Sequence, residues 1–359
     1  MEFERTYTLP FINSIANLKD EHFRNKNIFK RYIKFLKRLI YISVKHQKTK
    51  EIFEILPIHQ NILWINLSAP SLGDSLMDLS SRILLKGRKI DLFTDKKNYH
   101  LYLDDEVFSG IFTNTKELEK EKYDLVILDS YSSRTIKAKS NLAKKTPYVS
   151  MYGYFNGPEV NRILFSFYQM NHLLGYVKSE GEIHEIAKNL ISISDLDKII
   201  VQDLVPSDYV AIVLGGEWKY KTYSRWNDLI LNIKDYNKTN FIFIGSKNAT
   251  DDARQITKRL SNEKFLDLTG RLTFNQSVEV INKSRLTLCC DGGLFHGATA
   301  IQANIIVLLA RLAPEMLTTK RTKISYLYDE SNVNNISIDS ILEKYYEKVN
   351  LFDNHPQSE

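Results

Sequence analysis

Only two cysteines occur in the 359 residues, Cys289 and Cys290, and they are neighbours. On one extended strand their side chains point to opposite faces, so they form no fold-stapling disulfide. With no other cysteine there is no Cys-based zinc site. The scarcity fits a reducing cytoplasm. No run of about 18 apolar residues occurs, and the first residues carry no apolar core of secretory type. The expectation is a cytoplasmic protein, soluble or peripheral to the membrane's inner face, that does not span it. Acidic residues are missing from one long stretch. Between Arg24 and Lys50 there is none, while Arg24, Lys26, Lys30, Arg31, Lys34, Lys37, Arg38, Lys45, Lys48 and Lys50 are all basic.

Ile28, Phe29, Tyr32, Ile33, Phe35, Leu36, Leu39, Ile40 and Ile42 recur among these cations at helical spacing. Such a basic amphipathic helix either lies on anionic lipid or packs its apolar stripe on the protein with its lysines solvated. No zinc-finger, helix-turn-helix or RNP signature accompanies the charge, so a nucleic-acid partner is not expected. The hydrophobic content of 43% and charged content of 26% are those of a globular chain. The length suffices for two domains. The net charge of +6 favours anionic partners without naming one.

Short apolar runs alternate with helical stretches. In the first half, runs at 61–67, 89–94, 123–129 and 147–151 read as strands. In the second, runs at 209–214, 240–246, 265–268, 286–290 and 304–309 do. This alternation predicts two doubly wound parallel sheets of Rossmann type facing each other across a cleft. Ligands then sit at the carboxyl ends of strands. The join is placed in the polar helical stretch ending near Ser207.

The stretch from Leu286 to Ala300 concentrates the chemistry. A buried strand stops at Asp291, Gly292 and Gly293, and a small-residue helix then starts with His296 near its first turn. Free N–H groups and the helix dipole point at whatever sits there, which makes an anion site. The plainer alternative is an ordinary strand–helix corner. Asp74 lies just past the end of the first strand, beside Gly73. A carboxylate there either caps the following helix or acts as a general base. Ser246 and Lys247 follow a strand end and either touch a nucleotide or form a plain loop. Lys221 reads as an exposed lysine. Asp195 and Asp197 have the spacing of metal-dependent transferases but sit in a polar helix, and read as a solvated face.

Five pieces in order resemble the ADP-heptose glycosyltransferase family, the lipopolysaccharide heptosyltransferases. They are Gly73-Asp74 after a strand; Lys219 with Trp226 seven residues on; Gly245-Ser246 after a strand; Leu268-Thr269-Gly270; and Asp291-Gly292-Gly293-Leu294-Phe295-His296. The resemblance spans roughly residues 61 to 315. It implies the two-Rossmann glycosyltransferase architecture (GT-B), to which this chain adds a basic helical extension, and an inverting, metal-independent reaction without a cofactor. Asp74 would be the base, with Gly73 beside it. Lys219 would neutralise nucleotide phosphate. Asp291, Gly293 and His296 would hold the sugar nucleotide, with Gly292 and Ser246 as further contacts. The organisation is then a basic arm over 1–60, an acceptor domain over 61–205, a sugar-nucleotide domain over 206–330, and a helix and tail over 331–359. The donor expected is ADP-heptose and the acceptor a glycolipid of the lipid A–Kdo core type. An anionic membrane would meet residues 24–50.

Besides the extra basic arm, three departures stand out. Gly292 replaces a hydroxyl residue, Lys221-Thr222 replaces the usual Trp-Pro, and residues 309–314, with Arg311, replace a Phe-Gly turn. Asp291, ionised beside a diphosphate, is expected to bond sugar hydroxyls or backbone N–H groups. The alternatives on this fold are a nucleotide-sugar epimerase and a non-catalytic sugar-nucleotide or glycolipid binding protein.

Overall fold

A computed structural model describes residues 15–16, 28–120, 122–234, 238–260, 264–322 and 324–354. The chain divides into two compact units. The first comprises residues 1–188 with 316–321, the second 189–315 with 322–359. Arg24 and Lys26 of the basic stretch lie outside the described residues.

The first unit holds a five-stranded parallel sheet in the order β3-β2-β1-β4-β5. Its strands are β1 (Asn61–Asn66), β2 (Lys89–Thr94), β3 (Phe108–Phe112), β4 (Leu125–Leu128) and β5 (Tyr148–Ser150). Its helices are α1 (Ile28–Val44), α2 (Leu72–Asp78), α3 (Lys96–Tyr99), α4 (Ser133–Leu142), α5 (Arg162–Leu173) and α6 (Glu180–Ile186). Strands β1 and β4 are buried almost throughout, as parallel strands covered on both faces must be. Strand order reverses between β1 and β4, which opens a crevice at their carboxyl ends. The buried Asp129 carboxylate fixes that crevice. It accepts the N–H groups of Leu67, Ser68 and Ser130 and the hydroxyl of Thr135, so it ties the turn after β1 to the turn after β4. Burial pushes this carboxyl up, and those hydrogen bonds hold it back.

Helix α1 packs on this unit through Phe35 and Ile42. Phe35 meets the edge of Tyr154, with ring centroids 5.0 Å apart, and Arg38 donates to the carbonyls of Gly153 and Phe155. The other side of the helix leaves Phe29, Ile40 and Val44 exposed, as is Ile28 at its first residue. Helix α5 is buried nearly all round, so it shows little of the apolar–polar alternation that marks a surface helix.

The second unit holds a six-stranded parallel sheet in the order β11-β10-β9-β6-β7-β8. Its strands are β6 (Val210–Val213), β7 (Phe241–Ile244), β8 (Phe265–Asp267), β9 (Leu286–Cys290), β10 (Ile305–Ala310) and β11 (Ser325–Asp329). Its helices are α7 (Asp195–Leu204), α8 (Trp226–Asn232), α9 (Thr250–Leu260), α10 (Phe274–Lys283), α11 (Gly293–Ala300) and α12 (Ile338–Asn354). The apolar core joins Leu286, Leu288 and Cys290 of β9 to Val210, Ile212, Phe241 and Phe243, under α8, α9 and α12. The sequence placed the join after residue 205. Helix α7 instead belongs to the second unit, because Gln276 of α10 donates to Asp197 and Asn275 donates to the Ser192 carbonyl. Strand β11 alternates half-buried and exposed residues, the period-2 pattern of a sheet edge. It lay beyond the runs read as strands.

Candidate active site

In the second unit, strand β9 ends at Asp291, whose side chain is 5% exposed. The Lys221 ammonium donates to Asp291 Oδ2. His296 Nε2 lies 3.8 Å from Asp291 Oδ1 and is itself buried. The His296 carbonyl accepts from Thr299 Oγ1 at 2.9 Å and from Asn189 Nδ2 at 3.4 Å, which seats the first turn of α11. Gly292 is the N-cap and offers no side-chain acceptor to the helix's first N–H groups. Its backbone is fully extended, and a Cβ there would meet only the Cys290 carbonyl oxygen at 4.0 Å. A hydroxyl residue would therefore fit at 292. Gly297 is different. A Cβ on it would lie 2.5 Å from Val278 Cγ2 and 3.3 Å from the Phe274 ring, so its lack of a side chain lets α11 approach α10.

The short turn Lys219–Lys221 brings the cation in. Lys221 also stands 5.8 Å from the Tyr220 ring centroid, and the Arg311 guanidinium covers the same ring at 3.9 Å. Arg311 has a φ of 66° at the end of β10, a conformation that non-glycine residues seldom adopt. One sequence expectation changes here. Lys221 is not an exposed lysine, since its side chain is 23% exposed and pairs with Asp291. Asp291 is paired by the Lys221 ammonium, a partner the sequence reading did not name. Lys219, three residues before Thr222, is exposed and makes no ion pair among the described residues.

Ser246 is exposed at the end of β7, where its hydroxyl donates to Asn248 Oδ1 at 2.6 Å and Asn248 donates to the Gly216 carbonyl. Gly245, with φ of 155°, lets the two loops close, because a Cβ there would strike the Leu214 carbonyl oxygen at 2.5 Å. Asp195 is exposed on α7 and pairs with Lys198 at 2.8 Å. Among the described residues, no group of three His, Cys, Asp or Glu side chains is arranged to hold a metal ion.

In the first unit, Asp74 caps α2. Its Oδ2 accepts from Ser71 N at 3.1 Å and Ser71 Oγ at 2.7 Å, while Ser71 Oγ accepts from Asp74 N. Its Oδ1 meets Arg162 Nη1 at 3.0 Å. The capping reading is thus observed, and the carboxylate still keeps 21% of its side-chain surface exposed. Gly73 is buried in the same turn. Sequence reasoning missed Arg162, 88 residues away and unmarked by any motif. It also missed Asp78, although its spacing of four from Asp74 puts both carboxylates on one helix face. Nearby, a cavity of about 700 Å³ opens at the carboxyl ends of β1, β2 and β4, lined by Ser68, Lys96, Lys97, Ser132 and Arg134 among others. Asp95 also lines it and pairs with Arg134 at 2.5 Å, while Lys97 donates to the Ala69 and Pro70 carbonyls.

Two parallel-sheet α/β units, with a cationic strand–helix corner in the second and a partly exposed carboxylate at a strand end in the first, give an architecture of GT-B type. The family model of glycosyltransferase family 9 (heptosyltransferase) matches residues 143–346. The chain belongs to that family. No curated protein matches the sequence. Among solved structures, the chain resembles a family 9 glycosyl transferase from Veillonella parvula with a TM-score of 0.69 and 12% identity, covering 82% of this chain and 99% of that one. It resembles E. coli ADP-heptose lps heptosyltransferase II with a TM-score of 0.65 and 16% identity, over 82% and 99% of the two chains. It also resembles E. coli heptosyltransferase WaaC with ADP, at 0.61 and 12%, over 80% and 99%. At these identities the likeness establishes the shared fold.

Proposed function

We propose that this chain is an inverting heptosyltransferase that moves heptose from ADP-heptose to a lipopolysaccharide or lipooligosaccharide core acceptor. The observation that carries the reading is the corner of Asp291, Lys221 and His296 in a family 9 chain. The acceptor hydroxyl attacks the anomeric carbon and its O–H proton passes to Asp74. The bond from that carbon to the diphosphate breaks, and the electron pair leaves on ADP. Lys221 and the uncapped N–H groups of α11 offset the developing charge. The reaction needs no metal and no cofactor on this account. E. coli WaaC was solved with ADP, which supports an adenine nucleotide as donor.

The lysines Lys96 and Lys97 in the cavity beside the Arg134–Asp95 pair support an anionic acceptor of the lipid A–Kdo type. The exposed apolar side of α1, carried beside Lys30 and Lys37, supports peripheral contact with anionic membrane at the cytoplasmic face. A thermal-shift series with ADP, UDP and GDP tests the donor, because a ligand that binds only the folded chain raises its stability. ADP should give the largest shift. An equal or larger shift with UDP or GDP would overturn the heptose donor.

A further inference from the structure

We propose that Arg162 is a positioning residue for the Asp74 carboxylate, and that the buried Asp78 sets how strongly it acts. The proposal rests on the reading of Asp74 as acceptor base. Asp74 and Asp78 stand one helical turn apart on α2, where two carboxylates facing the same way repel. Arg162 from α5 fills the space between them. Its Nε and Nη2 grip Asp78 at 3.0 and 2.7 Å, which leaves Nη1 for Asp74 at 3.0 Å. The fork is fixed from the other side as well. Tyr152 donates to Asp78 Oδ1 at 2.8 Å, and its ring centroid lies 5.7 Å from the Arg162 guanidinium carbon. Tyr152 itself stacks on Phe165 of α5 at 4.3 Å.

Exposure separates the two acids. Asp78 is 7% exposed and Asp74 21%. Asp78 is therefore the anchor and Asp74 the group a hydroxyl can reach. A carboxylate has about four lone-pair positions. Ser71 N, Ser71 Oγ and Arg162 Nη1 occupy three on Asp74. One position on Oδ1 remains, beside the guanidinium, and that is where an acceptor hydroxyl would bind. Burial pushes the Asp78 carboxyl up against the pull of Arg162 and Tyr152. Burial also works against the Arg162 charge, but Asp78, Tyr152 and Asp74 more than offset it.

The other charged or titratable groups around α2 have partners of their own. Lys97 of α3 reaches the carbonyls of Ala69 and Pro70, Tyr102 bonds Ser75, Arg82 pairs with Asp105, and Glu159 acts on Tyr152. Among the described residues, Arg162 is the cation paired with Asp74, and Asp78 is the acid one turn away.

The test is a carboxyl-carbon NMR titration of the full chain labelled in aspartate, with the Asp74 resonance assigned by its loss in Asp74→Asn. Arg162→Gln leaves Asp74 facing Asp78 without the guanidinium, so its midpoint should rise. Arg162→Lys keeps the charge and should restore most of that difference. Asp78→Asn removes the repulsion and should lower the midpoint. If Arg162→Gln does not fold, the other two variants carry the test. Midpoints unchanged in every folded variant would overturn the proposal. Transfer rates measured in parallel separate the two claims. Asp74→Asn active at the wild-type rate sinks the base reading. Asp74→Asn inactive, with an immobile midpoint in the Arg162 and Asp78 variants, sinks only this one.

Discussion

Lys221 and Lys219 lie two residues apart, and only one of them sits on the acid of the candidate donor site. Replacing each by methionine separates them. In Lys221→Met, Asp291 loses its ammonium and is left 5% exposed, with the His296 Nε2 atom 3.8 Å away. Breaking a fully buried pair by removing one partner costs roughly 3–5 kcal/mol. Lys221 keeps 23% of its side chain in water, so the pair is partly screened and the figure falls to about 2 kcal/mol. For domains of this size that is a drop in Tm of about 4–8 °C. The stranded carboxylate would also repel a diphosphate, so affinity for ADP should fall about 10–100-fold. Lys219→Met removes an exposed lysine with no ion pair among the described residues. Its stability should stay within about 0.5 kcal/mol of wild type, and its ADP affinity within about threefold. Asp291→Asn combined with Lys221→Met should recover part of the lost stability, because the two charges leave together. Scanning calorimetry and isothermal titration with ADP read both quantities. If Lys219→Met weakens ADP more than Lys221→Met does, the assignment of the donor cation to Lys221 is wrong.

Three further outcomes follow from local geometry. Gly297→Ala places a methyl 2.5 Å from Val278 Cγ2; it should cost about 1–3 kcal/mol in chemical denaturation, and Val278→Ala in the same chain should return most of it. Burial pushes the Cys290 thiol up to about 12 and the Cys289 thiol well above its usual range; Ellman's reagent at about pH 8 should find no thiol in the native chain and both after denaturation. The Asp329 carboxyl is held down to about 2 by the N–H groups of Asn332 and Ser331, with the Ser331 hydroxyl and the Asn335 amide adding to them. A carboxyl lower in the folded than in the unfolded chain adds stability above its ordinary range and loses it as pH falls through the folded value. The Tm gap between wild type and Asp329→Asn should therefore be full at about pH 7 and narrow below about pH 4; a gap that widens on acidification would contradict this.

The fold was legible where burial is continuous. Strand β9 and strand β2 fall on the residues read for them, 286–290 and 89–94, because parallel strands covered on both faces write unbroken apolar runs. Strand β11 was not, since a half-covered edge strand of five residues carries little signal. Helix α5 escaped notice for the opposite reason. It is buried on nearly every side and shows no polar face. Within the site, Asp291 and His296 were marked by their local spacing, five residues apart across a strand–helix corner. The cation on Asp291 depends on how the turn at 219–221 folds, which the sequence does not mark, so Lys221 read as exposed. Arg162 had no local mark, because its partners lie on another helix and the sheet's crossover brings them together. The basic helix shows the packed arrangement. Phe35 and Ile42 pack inward, while Ile28 and Phe29 remain exposed.

The central claim is that one carboxylate activates the acceptor while a separate cationic corner holds the donor. Heptose transfer from ADP-heptose to a Kdo-bearing lipid A acceptor, measured alongside ADP affinity in Asp74→Asn, tests it most directly. Transfer should fall by about 10²–10⁴-fold, the usual worth of a positioned base, with ADP affinity unchanged. Transfer at the wild-type rate, or a matching loss of ADP affinity, would contradict it.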